Sequence, residues 1–177
     1  MIEMRRTRET DLAIIYAWYR DPETAKRAGC FVADNYSEFA LHYRSLLDST
    51  NARCYVLCQG GECVGLAEIR AIGGYSGTFQ GEAVLWLGSK RGVGLGICAI
   101  ALLLEQAFEV ENLDRLWWWV DRRNAAMLTV CLKLGFREVL PDTVMTATTR
   151  YFEISRNEYD LFVDHRVLVR YHQKERR

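Results

Sequence analysis

The chain has 177 residues and a mass of 20.5 kDa, the size of one domain able to bury its own core. Half of the residues are apolar and 26% are charged, which excludes disorder, collagen and coiled coil as the main state. Lys+Arg and Asp+Glu both number 23, so there is no basic surplus of the kind a nucleic-acid partner calls for. The longest apolar run, residues 97–104, is far shorter than the ~18 residues of a membrane span. The charged N-terminus lacks the apolar stretch of a secretory signal. A cytoplasmic protein with no nucleic-acid or membrane partner is expected.

In chain order, residues 10–19 place Leu12, Ile15, Tyr16 and Tyr19 on one helical face. Asp21-Pro22-Glu23 has the form of a helix start, with Asp as N-cap and Pro at the first position. Residues 37–48 repeat the amphipathic pattern through Phe39, Leu41, Tyr43, Leu46 and Leu47. Strand patterns over 53–58 and 62–72 flank Gln59-Gly60-Gly61, a hairpin signal. Residues 73–77 read as a loop and 82–87 as a strand. Residues 95–110, apolar almost all round, predict a buried helix. Residues 115–120 predict a strand on which Trp118 faces one way and Trp117 and Trp119 the other. Residues 124–134 predict a helix closed by Gly135. Strands over 137–140 and 148–154 follow, and Ser155-x-x-Glu158 is a capping box opening a last helix to about residue 169.

The order α-α-β-β-β-α-β-α-β-β-α predicts one α/β domain over 1–177, a mixed sheet covered by helices. Residues 155–177 form its C-terminal helix and basic tail. The tail is read as a solvated end, with a homodimer contact or a weak anionic-partner site as the alternatives. Cys30, Cys54, Cys58, Cys63, Cys98 and Cys131 sit mostly in apolar or strand-like stretches. Neither a Cys-x-x-Cys spacing nor a His accompanies Cys54, Cys58 and Cys63, so no metal is expected and the thiols read as reduced.

The stretch that points to chemistry is Trp86-Leu87-Gly88-Ser89-Lys90-Arg91-Gly92-Val93-Gly94-Leu95-Gly96. It ends a strand and opens a long apolar helix. Gly92, Gly94 and Gly96 let the backbone approach a ligand closely. The helix start adds unpaired N–H groups and the positive end of its dipole, an anion cradle suited to a diphosphate. Lys90 and Arg91 add charge beside it. No Gly-Lys-Ser/Thr follows, so this is not a Walker loop, and Gly92-x-Gly94-x-Gly96 does not fit the dinucleotide fingerprint.

Arg91-x-x-Gly94-x-Gly96 resembles the Arg/Gln-x-x-Gly-x-Gly/Ala signature of the GCN5-related N-acetyltransferase (GNAT) superfamily. Asn124-Ala-Ala-Met-Leu-Thr-Val-Cys131-Leu-Lys-Leu-Gly135-Phe136 is similar to that family's Asn-x-x-Ala-x-x-x-Tyr-x-x-x-Gly-Phe segment. The element order matches over nearly the whole chain. The opening Asp11…Trp18-Tyr-Arg-Asp-Pro-Glu and the closing Phe152-Glu-Ile-Ser-Arg-Asn-Glu-Tyr resemble the branch that acetylates ribosomal-protein N-termini and its relatives acting on small amines.

The resemblance implies a mostly antiparallel central sheet, helices on both faces and a splayed strand pair at the donor site. It implies acetyl-CoA as co-substrate, with pyrophosphate on the backbone N–H groups of Gly92, Val93, Gly94, Leu95, Gly96 and Ile97 beside Arg91. Val84, Leu85 and Trp86 would pair with the pantetheine arm. Asn124 would hydrogen-bond that arm or its phosphate end, and also reads as a plain N-cap. The acceptor would be a small-molecule amine or a protein N-terminus, acetylated by direct attack in a ternary complex. The rival reading is a CoA-binding sensor or scaffold that has lost turnover.

An alkylammonium with a pKa of about 10 must lose its proton before attack, so a carboxylate base is required. Glu68 and Glu82 are the candidates. In a hairpin centred near Tyr75 they stand opposite each other, and their repulsion raises one pKa. Both also read as plain surface carboxylates. The position at which the family often carries a Tyr acid is Cys131 here. Cys131 is thus the third catalytic candidate, as a proton donor to the leaving thiolate or as an acetyl-cysteine nucleophile, while its apolar helix face favours a small buried residue. Acceptor contacts are expected from Tyr75, Phe79 and residues 21–36, whose Asp21, Glu23 and Asp34 favour a cation.

Overall fold

The computed structural model describes residues 2–22, 35–88, 94–140 and 148–164. Among these, seven strands form one sheet in the order β1-β2-β3-β4-β5-β7-β6. They are β1 (Ile2–Arg6), β2 (Arg53–Gln59), β3 (Glu62–Tyr75), β4 (Thr78–Leu87), β5 (Arg115–Asp121), β6 (Arg137–Val139) and β7 (Thr149–Ser155). The helices are α1 (Leu12–Arg20), α2 (Tyr36–Leu47), α3 (Leu95–Glu105), α4 (Ala125–Lys133) and α5 (Arg156–Asp164). The predicted helix start at Asp21-Pro22-Glu23 runs into residues 23–34, outside the described residues. So does the predicted extension of the last helix and its basic tail, beyond residue 164.

One strand has no counterpart in the sequence reading. β1 lies at the sheet edge, antiparallel to β2 from Ile2↔Gln59 to Arg6↔Tyr55. Only Ile2 is buried along it, and the rest is Glu3, Met4, Arg5 and Arg6. An edge strand with one covered face needs few apolar residues, and charged ones protect it from pairing with other chains.

Strand alternation divides the interior in two. α1 and α2 cover one face, where Ile15, Trp18, Tyr19, Phe39 and Tyr43 pack on Val56, Leu66 and Trp86. α3, α4 and α5 cover the other, where Leu95, Leu103, Cys131 and Tyr159 pack on Leu57, Ile69, Leu116 and Phe152. α3 passes into a π-helical turn, Gln106–Val110, and so completes the predicted 95–110 helix. The predicted capping box forms: the Ser155 backbone N–H donates to Glu158 Oε2 at 2.7 Å, and the Glu158 N–H donates to Ser155 Oγ at 3.3 Å.

The β3–β4 connection is tighter than predicted. The strands continue to Tyr75↔Thr78, leaving a two-residue turn at Ser76 and Gly77, both at positive φ (48° and 77°). A register shift between Arg70 and Gly73, at Ala71 with φ 49°, adds a bulge. The two together move the register off Tyr75. Glu68 therefore faces Val84, and Glu82 faces Arg70. The expectation that the two carboxylates stand opposite each other is corrected.

The feature that positions the site is the parallel contact of β4 with β5. It covers three rungs, Gln80↔Arg115, Gly81↔Leu116 and Glu82↔Trp117. Past Glu82, β4 stays with β3 as far as Gly65↔Leu87, and β5 stays with β7 as far as Asp121↔Thr149. Each strand keeps its antiparallel partner, and the parallel contact is the one that yields. A cleft opens between the C-terminal halves of β4 and β5.

Candidate active site

Because β4 and β5 are parallel, both end at the same edge of the cleft, and the helices that follow them begin there. α3 starts from Gly94, which sits in the left-handed region at φ 79°. The Ile97 N–H turns back to the Gly94 carbonyl at 3.2 Å, while the first N–H groups of the helix have no intrahelical partner. A Cβ on Gly94 would meet nothing within 4 Å, and one on Gly96 only Leu87 Cδ1 at 3.9 Å. The protein's own packing does not require the missing side chain at either position. Gly94 answers a backbone angle, and both leave a bare surface at the positive end of α3. Ser89, Lys90, Arg91, Gly92 and Val93 lie outside the described residues.

Gly88 is different. A Cβ there would lie 2.2–2.3 Å from the Trp18 indole. Its N–H donates to the Val64 carbonyl at 3.0 Å. The strand is thereby held to β3 up to the residue from which the glycine loop departs. Val84, Leu85 and Trp86 pair with Glu68, Ala67 and Leu66 of β3. Their other backbone edge faces the cleft. The Trp86 ring is buried against Tyr19, with centroids 4.2 Å apart.

Asn124 is the N-cap of α4, its Oδ1 accepting from the Met127 N–H at 3.2 Å. The capping reading is therefore the one seen, and it places Asn124 at the cleft edge beside the end of β5. Next to it, the Arg123 guanidinium holds the half-buried Asp121 carboxylate down to about 2.

The two carboxylates have distinct surroundings. Glu68 is fully buried. Its Oε1 accepts from the Tyr43 hydroxyl at 2.5 Å, and its Oε2 accepts from Arg70 Nε at 2.5 Å. Arg70 closes an ion pair with it through a second nitrogen. Burial, reinforced by the Glu68 charge, pushes the Tyr43 hydroxyl well above its ordinary value, so Tyr43 stays a donor. Glu82 is half-buried at the last paired rung of β4 and β5. Its Oε1 accepts from the Trp119 indole N–H at 3.0 Å. Burial pushes its pKa up, and Arg70 and Trp119 only partly oppose that. Glu68 contributes a smaller repulsion of the same sign as burial.

The run of three tryptophans divides as its alternation predicts. Trp118 packs edge-on to Phe136, with centroids 4.3 Å apart, and donates to Cys131 Sγ at 3.3 Å. Trp117 and Trp119 are half-buried on the opposite face. Cys131 is fully buried, and burial pushes its thiol up to about 11. A thiol in that state is neither a ready nucleophile nor a group facing the cleft.

Sequence reading missed Trp119 as a partner of Glu82, and Tyr43 as a partner of Glu68. Their strand and helix faces were legible, but the pairing is across elements. Tyr75 and Phe79 sit at the β3–β4 hairpin tip, with Tyr75 72% exposed. Glu23 and Asp34 lie outside the described residues. Among the described residues no group of His, Cys, Asp and Glu is placed to hold a metal, and no helix is long and apolar enough to cross a membrane.

The family model described as "Acetyltransferase (GNAT) domain" matches residues 2–137. No curated protein matches the sequence. Among solved structures, a spermidine N-acetyltransferase from Vibrio cholerae in complex with CoA and spermine is 17% identical, with a TM-score of 0.77 over 89% of this chain and 97% of that one. An aminoglycoside acetyltransferase in complex with coenzyme A is 20% identical, with a TM-score of 0.75 over 91% and 98%. A dodecameric form of the Vibrio cholerae spermidine enzyme gives 17% identity and a TM-score of 0.72 over 89% and 95%. At these identities the likeness is one of fold.

Proposed function

Because this chain belongs to the GNAT acetyltransferase family, we propose that it moves the acetyl group of acetyl-CoA onto a primary amine of a small cationic molecule, with Glu82 as general base. Acetyl transfer and the acetyl-CoA co-substrate come with the family; the acceptor class and the residue roles are our reading. The observation that carries it is the position of Glu82, a half-buried carboxylate where the β4–β5 pairing ends and the cleft opens. Its raised pKa makes it a better proton acceptor than an exposed carboxylate would be.

The donor pyrophosphate would lie on the N–H groups of the glycine loop, Leu95 and Gly96, with Arg91 beside it; the Ile97 N–H is already taken by the Gly94 carbonyl. The pantetheine arm would run along Val84, Leu85 and Trp86. Asn124 would contribute by fixing the start of α4 at the cleft edge. The amine would approach from the α1–α2 side, where Glu82, Trp86 and Tyr19 share one face. There it would transfer its proton to Glu82 and attack the thioester carbon directly. The CoA thiolate would leave without help from Cys131, whose thiol is turned into the core. Glu68 would serve to hold Arg70, which faces Glu82 across the β3–β4 rung.

A small amine is favoured over a protein N-terminus by the relatives of like fold, which act on spermidine and on aminoglycosides. The resemblance to ribosomal-protein N-terminal acetyltransferases rests on two segments. The closing one is occupied by the β7-to-α5 junction and its capping box. The free thiols of the described cysteines suit a cytoplasmic setting. Steady-state CoA release from wild type and Glu82→Gln, across polyamines, aminoglycosides and N-terminal peptides, tests the reading. Release with peptides alone would sink the acceptor class. Unaltered release by Glu82→Gln would sink the base.

A further inference from the structure

We propose that Cys58 and Cys63 form a reversible disulfide, a thiol-redox site at the closed end of the β2–β3 hairpin. The two residues are direct partners in the ladder, one rung from the turn. Gly60 and Gly61, at φ 60° and 83°, make that turn a two-residue connection of the primed type, closed by the pair Gln59↔Glu62. The closing pair of such a turn exchanges the hydrogen bonds. The next pair is then of the non-hydrogen-bonded kind, with Cα atoms about 4.5 Å apart and side chains on the same face. That separation lies inside the range of about 4.4–6.8 Å that a disulfide spans. The bulge between Leu57 and Cys58 falls after this pair and leaves it aligned.

Both thiols are free, and Cys58 lies close enough to Cys63 to affect its titration. Cys63 is the half-exposed member and Cys58 is buried, at 8% exposure. Among the described residues no other thiol competes for either. Cys54 lies four residues along β2, about 13 Å away, opposite Glu68. Cys98 and Cys131 belong to the cluster on the other side of the sheet. Arg5 Nη2 lies 3.8 Å from Cys63 Sγ and favours its thiolate, while burial, Cys58 and Asp11 oppose that. Exchange is accordingly slow at neutral pH and faster in mild base.

The oxidant is a low-molecular-weight disulfide. The Cys63 thiolate attacks one of its sulfurs, forming a mixed disulfide and expelling one molecule of the small thiol. The Cys58 thiolate then attacks the Cys63 sulfur, forming the Cys58–Cys63 bond and expelling the second molecule. The two cysteines lose two protons and two electrons, and the small disulfide gains them. The pair stands one residue from Val64, whose carbonyl holds Gly88 where β4 leaves for the glycine loop.

The test uses the folded wild-type chain equilibrated with glutathione disulfide in mild base, then alkylated and mapped by peptide mass spectrometry. The expected result is a Cys58–Cys63 crosslink that dithiothreitol reverses, with Cys54, Cys98 and Cys131 alkylated as free thiols. Cys58→Ser should instead stop at a single glutathione on Cys63, because the resolving thiol is gone. Cys63→Ser should leave Cys58 free. Cys58 and Cys63 both alkylated in the oxidised wild type, or wild-type Cys63 stopping at the glutathione adduct, would overturn the proposal.

Discussion

The Trp119 indole N–H donates to Glu82 Oε1 at 3.0 Å, from the strand that leaves β4 just past Glu82. The hydrogen bond holds the carboxylate on the far side of an opening sheet. It also favours the charged form, against the burial that disfavours it. Removing it with Trp119→Phe should raise the Glu82 pKa further, because a bond to the ionised carboxylate is lost. The acidic limb of the pH dependence of kcat/KM should move to higher pH, with the plateau retained. A profile superimposable on wild type would separate Trp119 from the chemistry.

Glu82→Gln should lower kcat/KM for the amine by about 10²-fold or more and remove that acidic limb. The same substitution should stabilise the protein at neutral pH. Burial makes the folded protein hold the Glu82 proton more tightly than the unfolded chain. The stability this group contributes is complete below its unfolded pKa and is lost as pH rises through the folded one. A neutral Gln avoids that loss, so Tm should rise at pH 7, and the gain should vanish below about pH 4. Thermal scans at the two pH values check the sign.

Gly94→Asp should weaken acetyl-CoA binding by at least about tenfold, since it sets a negative charge at the positive end of α3. Gly94→Ala should lose less affinity than Gly94→Asp, because its Cβ meets no protein atom within 4 Å and adds no charge. Its cost is the left-handed backbone angle alone, about 1–2 kcal/mol. Titration calorimetry and urea unfolding on both variants separate charge from strain. Equal affinity of folded Gly94→Asp and wild type would remove α3 from the donor site.

Gly88→Ala should destabilise the fold by about 1–3 kcal/mol, since its Cβ would enter the Trp18 ring. Trp18→Leu in the same chain should recover part of the loss, a non-additivity expected of residues in contact. Tyr43→Phe should cost about 1–3 kcal/mol by leaving the buried Glu68 Oε1 without its donor. Urea midpoints at neutral pH report both.

Cys131→Ala should keep activity to within about tenfold, well short of the loss expected for an effective general acid. Intact mass after mixing with acetyl-CoA should show no stoichiometric adduct on wild type. Cys131→Tyr, which matches the family's common residue, should instead unfold more easily, since the site is fully buried and filled by Trp118. An adduct lost together with turnover in Cys131→Ala would point to a covalent route.

The sequence by itself determined the elements that need only local chemistry. Alternation split Trp118 from its two neighbours, the Ser155–Glu158 box started α5, and the glycine spacing after β4 marked the bare helix start at Gly94. It also carried the family. What it could not determine depended on register and on contacts between distant segments. Two features, a two-residue turn at Ser76-Gly77 and a bulge at Ala71, shifted the β3–β4 register, so Glu68 met Val84 instead of Glu82. β1 went unread because an edge strand needs only one buried side chain among charges. Above all, the different environments of Glu68 and Glu82 were invisible in the chain. Both are single glutamates in strand patterns, and only the fold brings Tyr43 and Arg70 to one and Trp119 to the other. Burial and partners from other elements set a carboxylate's proton affinity, and those arise only when the sheet closes on one side and opens on the other.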